Sequence, residues 1–209
     1  AFAGFREGTI NFAPTFKHVV GVAAAEGGSV GVVAAVVPWN AEMFLTATKV
    51  GPALAAGNTV VIKASEIAPA PLLAFAQVID EVGFPPGVVN LITGFGEPCG
   101  RALTSHPMVD KVAFTGGVET ARHVVANTVH NLAPVTLELG GKSPILVFDD
   151  ADFESAVNGA VAGNFGASGQ SCVAGSRVFV QSGIHDEFVA EVVRRAEQIR
   201  IAARCVLRR

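Results

Sequence analysis

Short β-branched runs alternate with longer stretches of helical periodicity along this chain, and that alternation restricts its possible folds more than any other feature. Val30 to Val37 reads as a buried strand, Glu42 to Ala56 as a helix closing at Gly57, and Thr59 to Lys63 as a second strand. A helix follows from Pro71 to Val82, with Pro69 and Pro71 near its start and Gly83 just past its end. Val88 to Ile92 is a strand leading into a glycine-rich turn. Lys111 to Phe114 is a strand, Gly117 to His130 a helix, and Val135 to Leu139 a strand. Strands and helices in this order call for a parallel sheet covered on both faces. Right-handed crossovers make such a sheet doubly wound. The fold class expected is therefore α/β, a doubly wound, mostly parallel sheet. Past Gly140 and Gly141 come a strand (Ile145 to Phe148), a helix (Asp152 to Ala162) and a glycine-rich segment (Gly163 to Gly169). A strand (Arg177 to Val180) and a helix (His185 to Ile201) complete what reads as the start of a second α/β unit.

Composition removes several classes of function. Half of the 209 residues are hydrophobic and only 16% are charged, which supplies a sizeable core and argues against disorder. With a net charge of −3 there is no broad basic field for nucleic acid or an anionic membrane. The basic cluster at Arg204, Arg208 and Arg209 is too short to define a partner. The cysteines Cys99, Cys172 and Cys205 form neither a disulfide framework nor a Cys/His metal pattern, so no metal is expected and a reducing, cytoplasmic setting is. Apolar runs such as Val30 to Val37 are too short to span a bilayer, and no signal-peptide pattern is present. The chain opens on Ala1 rather than a methionine and stops just after a helical pattern, which suggests a piece of a longer protein.

In doubly wound sheets, ligands bind outside the carboxyl ends of the strands. That rule points to the turns after Val37, Lys63, Ile92, Phe114 and Leu139. At the first, Asn40 in Pro38-Trp39-Asn40 either directs a side-chain amide at a developing oxyanion or caps the next helix. At the second, Lys63 and Glu66 either hold the two hydroxyls of a ribose or form a solvated charged turn. Phe114-Thr115-Gly116-Gly117 joins a strand to a helix, where backbone N–H groups can approach a phosphate; it is not G-x-G-x-x-G and is weak alone. Glu138 ends an apolar strand before two glycines. It is either a general base whose pKa burial would raise, or a turn residue pairing with Lys142. Cys172 closes Gly169-Gln170-Ser171-Cys172, a small polar loop that suits an approachable nucleophile as well as a buried turn residue.

Taken together, VVPWN (Val36 to Asn40), KASE (Lys63 to Glu66), GFG (Gly94 to Gly96), FTGG (Phe114 to Gly117), ELGGKSP (Glu138 to Pro144) and GQSC (Gly169 to Cys172) resemble the NAD(P)-dependent aldehyde dehydrogenase family. Order and approximate spacing match too, from about Gly28 to Ile201, and ELGGKSP followed by GQSC is highly specific. The resemblance implies an NAD(P)-binding, Rossmann-like domain over residues 1–140, incomplete at its N-terminus. The beginning of a catalytic domain, truncated at its C-terminus, would occupy 141–209. It implies oxidation of an aldehyde to a carboxylic acid through a cysteine thiohemiacetal and thioester. Cys172 would be the nucleophile, Asn40 an oxyanion donor and Glu138 the base that activates water.

The same resemblance assigns the cofactor. Val37, Pro38 and Trp39 would line the dinucleotide cleft, Lys63 and Glu66 would bind the adenosine ribose, and Gly94 would let the adenine approach. Phe114, Thr115, Gly116 and Gly117 would form the turn near the pyrophosphate and nicotinamide, with Leu139 and Gly140 beside the nicotinamide. Glu66 favours NAD over NADP by repelling a 2′-phosphate, although NADP remains open. Full-length relatives are expected to be homo-oligomers. Gly117 stands where the family usually has Ser and Ala121 where it often has Gly, while Ala202 to Arg209 matches nothing in the family pattern. A nucleotide-binding module without catalysis, a CoA-acylating relative and a Cys/His hydrolase are the competing readings. Glu138 argues against the second, and the absence of a motif placing His18, His106, His123, His130 or His185 beside Cys172 argues against the third.

Overall fold

The computed structural model describes residues 29–201. The basic tail, Cys205 and His18 lie outside them, as do the first residues assigned to the nucleotide-binding domain. The described chain forms two compact units that meet in sequence between Leu139 and Gly140.

The first unit contains β1 (Val32–Val36), α1 (Glu42–Ala55), β2 (Thr59–Lys63), α2 (Ala70–Val82), β3 (Val89–Ile92), a π-helical turn (Gly96–Gly100), α3 (Arg101–Thr104), β4 (Lys111–Gly116), α4 (Val118–Asn127) and β5 (Val135–Leu139). Its five strands are all parallel, in the order β3-β2-β1-β4-β5. Helices cover both faces. On one, Val50 and Ala53 of α1 and Leu72 of α2 pack on Val33, Ala35, Val60 and Ile62. On the other, Leu103 of α3 and Ala121 and Val124 of α4 pack on Ala34, Val112 and Phe114. The sheet is thus doubly wound, as its alternating pattern implies. β1 lies in the middle, and its run Val33-Ala34-Ala35 has no exposure at all, the pattern of a strand buried on both faces. Each fully buried Val, Ile or Leu here contributes about 1.5–3 kcal/mol through burial.

The strand read over Val30 to Val37 is shorter in the structure, for a local reason. The N–H groups of Val30 and Gly31 donate to the Asn58 side chain at 2.7 and 3.0 Å, which takes them out of the ladder. The helix expected to reach His130 ends at Asn127, where Thr128 turns its hydroxyl back to the Val125 carbonyl. The π-helical turn and α3 carry too few apolar repeats to be read from sequence, and they occupy what was expected to be a plain glycine-rich turn.

The second unit contains β6 (Pro144–Val147), α5 (Phe153–Phe165), β7 (Arg177–Val180) and α6 (His185–Glu197). β6 and β7 pair in parallel. Asp152 caps α5 by accepting the Ser155 N–H at 2.8 Å. α5 runs on through Gly163-Asn164-Phe165, with Asn164 donating to the Ala160 carbonyl at 2.9 Å. α6 stops four residues short of Ile201, because Gln198 and Ile199 close it with tighter bonds to Arg195 and Ala196. Val147, Val157, Ala160 and Phe188 form the core, with Phe153 edge-on to Phe188 at 5.9 Å. Arg195 of α6 ties the two helices through Glu154 and Asn158 of α5 and, within α6, pairs with Glu191 at 2.7 Å. Among the described residues, no helix is long and apolar enough to cross a membrane.

Two stability predictions follow from these contacts. Thr46 of α1 is fully buried, and among the described residues its hydroxyl is a buried side-chain oxygen without a hydrogen-bond partner. Thr46→Val keeps the branched shape and removes the unsatisfied group, so it should stabilise the chain by about 1 kcal/mol, read from the urea midpoint. In the second unit, hydrogen bonds from Arg194 and then Arg195 hold the Glu191 carboxyl down to about 2. A depressed carboxylate stabilises the fold above its unfolded value of 4.5 and loses that contribution as pH falls toward about 2. Glu191→Gln should therefore flatten the loss of helical signal over that acid range in a pH titration followed by circular dichroism.

Candidate active site

The order β3-β2-β1-β4-β5 reverses direction between β1 and β4, and the turns leaving these two strands flank the reversal. Val37, at the end of β1, is 3% exposed and donates its N–H to the Lys63 carbonyl at 3.2 Å. The chain leaves the sheet at Pro38. Trp39 is 39% exposed, and Pro38 and Asn40 are half-buried. The N-cap of α1 is Ala41, with no side-chain capping bond, so Asn40 is not the helix cap that its residue type suggested.

At the next strand end, Lys63 is buried while its ammonium reaches out to the Ala64 carbonyl at 2.9 Å and to Glu66 at 3.3 Å. The carboxyl of Glu66 is held below its ordinary value, first by its own backbone N–H and then by Lys63, against some desolvation. This pair is an assembled feature and not two independent surface charges. After β3, a Cβ built on Gly94 would come within 2.7 Å of the Cys99 Cβ, so packing inside the chain already requires glycine there.

Beyond β4 the structure separates residues that look alike in sequence. The ring of Phe114 is 3% exposed and belongs to the core, beneath Gly116. Thr115 is buried too, and its hydroxyl accepts a 2.6 Å hydrogen bond from Lys49 of α1. In register, Thr115 lies beside Glu138 and Gly116 beside Leu139, so the FTGG and ELGG segments run side by side. Glu138 and Leu139 are half-buried, and Gly117 and Gly140 are exposed. Lys49 was missed in the sequence. Its signal is visible in retrospect, since Thr46, Lys49, Val50 and Ala53 repeat at helical spacing and are all buried. A lysine on that stripe marks a buried ammonium held by polar partners.

Cys172 belongs to the second unit, in the connection between α5 and β7. Its thiol is free and half-buried. The segment before it is unusual. Ala167, Ser168 and Gly169 all have positive φ, at 50°, 56° and 75°. L-residues enter that region at a cost of roughly 1–2 kcal/mol each, so the surrounding fold imposes this left-handed turn. Gln170 donates to the Ala167 carbonyl and Ala174 to that of Ser171, which closes the loop around Cys172. Gly175 is buried against Ile145, and Arg177 is held through its Nε to the Lys142 carbonyl at 2.8 Å, which ties the loop's exit to the segment that precedes β6. The histidine of this unit, His185, pairs with Asp186 at 2.9 Å. Among the described residues no His, Cys, Asp and Glu grouping could hold a metal ion.

The profile of the aldehyde dehydrogenase family matches residues 15–205. The chain belongs to the aldehyde dehydrogenase family. It is 62% identical over 172 residues, 82% of its length, to the (Z)-2-((N-methylformamido)methylene)-5-hydroxybutyrolactone dehydrogenase of Acinetobacter baylyi, of which it covers 35%. It is 51% identical over 170 residues to cytosolic aldehyde dehydrogenase 1 of Elephantulus edwardii, covering 81% of this chain and 34% of that one. Among solved structures, the NAD+ complex of the aldehyde dehydrogenase from Bacillus cereus superposes with a TM-score of 0.79 at 43% identity, covering 84% of this chain and 36% of that one. The chain thus spans about a third of the length of the aldehyde dehydrogenases it matches.

The cysteine loop of this family member yields a direct test. Gly169→Ala places a Cβ at positive φ and 3.4 Å from the Asn164 carbonyl. It should cost about 1–2 kcal/mol, measured as a lowered urea midpoint. Labelling of Cys172 by a thiol reagent should also become faster as the loop loosens.

Proposed function

We propose that the chain is the cofactor-binding and nucleophile-bearing part of an enzyme that oxidises an aldehyde to a carboxylic acid with NAD. The observation that carries this reading is that the VVPWN, KASE, FTGG and ELGG segments all leave the carboxyl edge of one parallel sheet, with the Lys63–Glu66 pair already assembled there. Residues 1–140 would be the nucleotide-binding domain and 141–209 the start of the catalytic domain.

A dinucleotide fits the residues present. Lys63 and Glu66 offer a donor and an acceptor to the adenosine ribose. Gly117 and Gly140 leave open space where a Cβ would stand, which admits a flat ring or a phosphate close to the backbone. Trp39 and Pro38 would wall the cleft, with Val37 as its floor. The buried ring of Phe114 limits that residue to a supporting role beneath Gly116, and Thr115, held by Lys49, would fix the turn. Leu139 would lie beside the nicotinamide. The crevice at the sheet's reversal is where nucleotides bind in doubly wound folds.

The family's motifs assign the chemistry. Cys172, as thiolate, would add to the aldehyde carbon, and the Asn40 amide and the Cys172 N–H would donate to the oxygen that becomes negative. When bound, the nicotinamide supplies the hydride acceptor. Cys172 would then carry the acyl group as a thioester. Glu138 takes a proton from the water that cleaves it, the carboxylic acid departs and the thiolate returns. A free thiol suits a reducing, cytoplasmic setting, and full-length members are expected to assemble as homo-oligomers.

The 209-residue chain should bind NAD, measured by calorimetric titration, and should turn over aldehydes far below ordinary dehydrogenase rates. Catalysis tolerates misplacement of reacting groups by only about 0.5 Å, and about two thirds of the length of the relatives lies outside this chain. Reduced nicotinamide formed at an ordinary rate from an aldehyde panel would overturn the second expectation, and failure to bind NAD would overturn the first. Whatever aldehyde-dependent signal forms should vanish in Cys172→Ala, which should still bind NAD.

A further inference from the structure

Taking Cys172 as the nucleophile from the reading above, we propose that Ala167 and Ser168 are positioning residues whose strained backbone keeps the Cys172 loop ready to open, so that the thiol comes forward by a local flip of the turn. The loop is fastened at both ends. On entry, the Asn164 side chain holds to the Ala160 carbonyl at 2.9 Å, and the Asn164 carbonyl lies 3.4 Å from where a Cβ on Gly169 would stand. On exit, Gly175 packs on Ile145 and Arg177 reaches the Lys142 carbonyl at 2.8 Å. Between these fastenings Ala167 and Ser168 have φ of 50° and 56°. Glycine takes that backbone without steric cost. The loop has a glycine to spare, since Gly166 has φ of −54° and open space around a Cβ, so any residue would serve there. Glycine thus stands where the backbone does not need it and is missing at the two neighbouring positions where it does.

Ala167 and Ser168 are both exposed, so burial of their own side chains does not offset the strain. Inside the turn, the Gln170 N–H donates to the Ala167 carbonyl at 3.1 Å. Breaking that bond lets both residues relax to a right-handed or extended backbone, and Cys172, two residues beyond Gln170, moves with the chain. Exposed segments with strained backbone and little apolar burial open at the low end of the local free-energy range. The thiol is half-buried in the closed loop. A nucleophile has to be reached while the rest of the fold stays intact, and a turn set against the preference of its own residues provides this. Residues content with a left-handed backbone would lock the loop shut.

The test is the rate at which iodoacetamide alkylates Cys172 in the 209-residue chain, read from the mass of the peptide that carries it, in water and in urea below the unfolding midpoint. Ser168→Gly should slow labelling about fivefold, because relief of the left-handed backbone outweighs the extra freedom that glycine gains on opening. Ala167→Gly should do the same. Ser168→Val should speed labelling by a similar factor, since a β-branched residue fits this backbone worst. Gly166→Ala should leave the rate unchanged. All of these rates should stay nearly flat in urea, as expected of an opening that exposes little surface. If the glycine variants raise the urea midpoint and leave labelling unchanged, the strain is purely structural and the proposal is overturned. Rates that climb with urea in parallel with global unfolding overturn it as well. The reading of Cys172 as nucleophile fails separately, if aldehyde-dependent reduction of NAD survives in Cys172→Ala, and that outcome leaves the labelling series intact.

Discussion

Three backbone N–H groups at the start of β1 have no strand partner and donate instead to side chains. Those of Val30 and Gly31 go to Asn58, and that of Val32 goes to Asp110 at 2.7 Å. Asn58 stands just before β2 and Asp110 just before β4, so the two strands that flank β1 are anchored to its origin. Asn58 also donates to the Ala53 carbonyl at the end of α1 and is 4% exposed. From these anchors the register runs upward: Val33 beside Val60 and Lys111, then Val36 beside Lys63 and Phe114. The turn residues at the carboxyl edge stand where they do because the opposite edge is pinned. A one-residue slip would turn every side chain to the wrong face.

The charges obey the same economy. A buried ammonium is tolerated only with partners, and both lysines next to the candidate site have them. Lys63 is covered along its stem by Gly100 and satisfied at its tip by Ala64 and Glu66. Lys49 reaches across from α1 to Thr115. Each lysine thereby ties a helix or turn to the carboxyl end of a strand, and each sits at a point where the family's motifs concentrate.

Much of this was readable in the residues. The helices α1 and α2 and the strands β2 and β5 stand within a residue or two of where their periodicity puts them, because each is a regular segment bounded by Gly, Pro or Asn. The fold class followed from the alternation alone. Elements with little apolar repeat were not visible: the turn over Gly96–Gly100, the four residues of α3, and the left-handed run Ala167-Ser168-Gly169. The last is imposed by its surroundings against local preference, and no propensity argument reaches it.

The candidate site divides along the same line. The residue types and their order, from Pro38-Trp39-Asn40 to Gly169-Gln170-Ser171-Cys172, are properties of the chain and identify the family without coordinates. Which of those residues face outward is not. Phe114 and Thr115 adjoin in sequence next to Gly116 and Gly117, yet they are buried while Gly117 is open. Asn40 looked like a helix cap, yet the N-cap of α1 is Ala41. Sequence determines which chemical groups are available and the local periods that carry them. Facing and neighbourhood arise only when strands distant in the chain pair and helices choose a face, because burial and hydrogen-bond partners are set by contacts across the sheet.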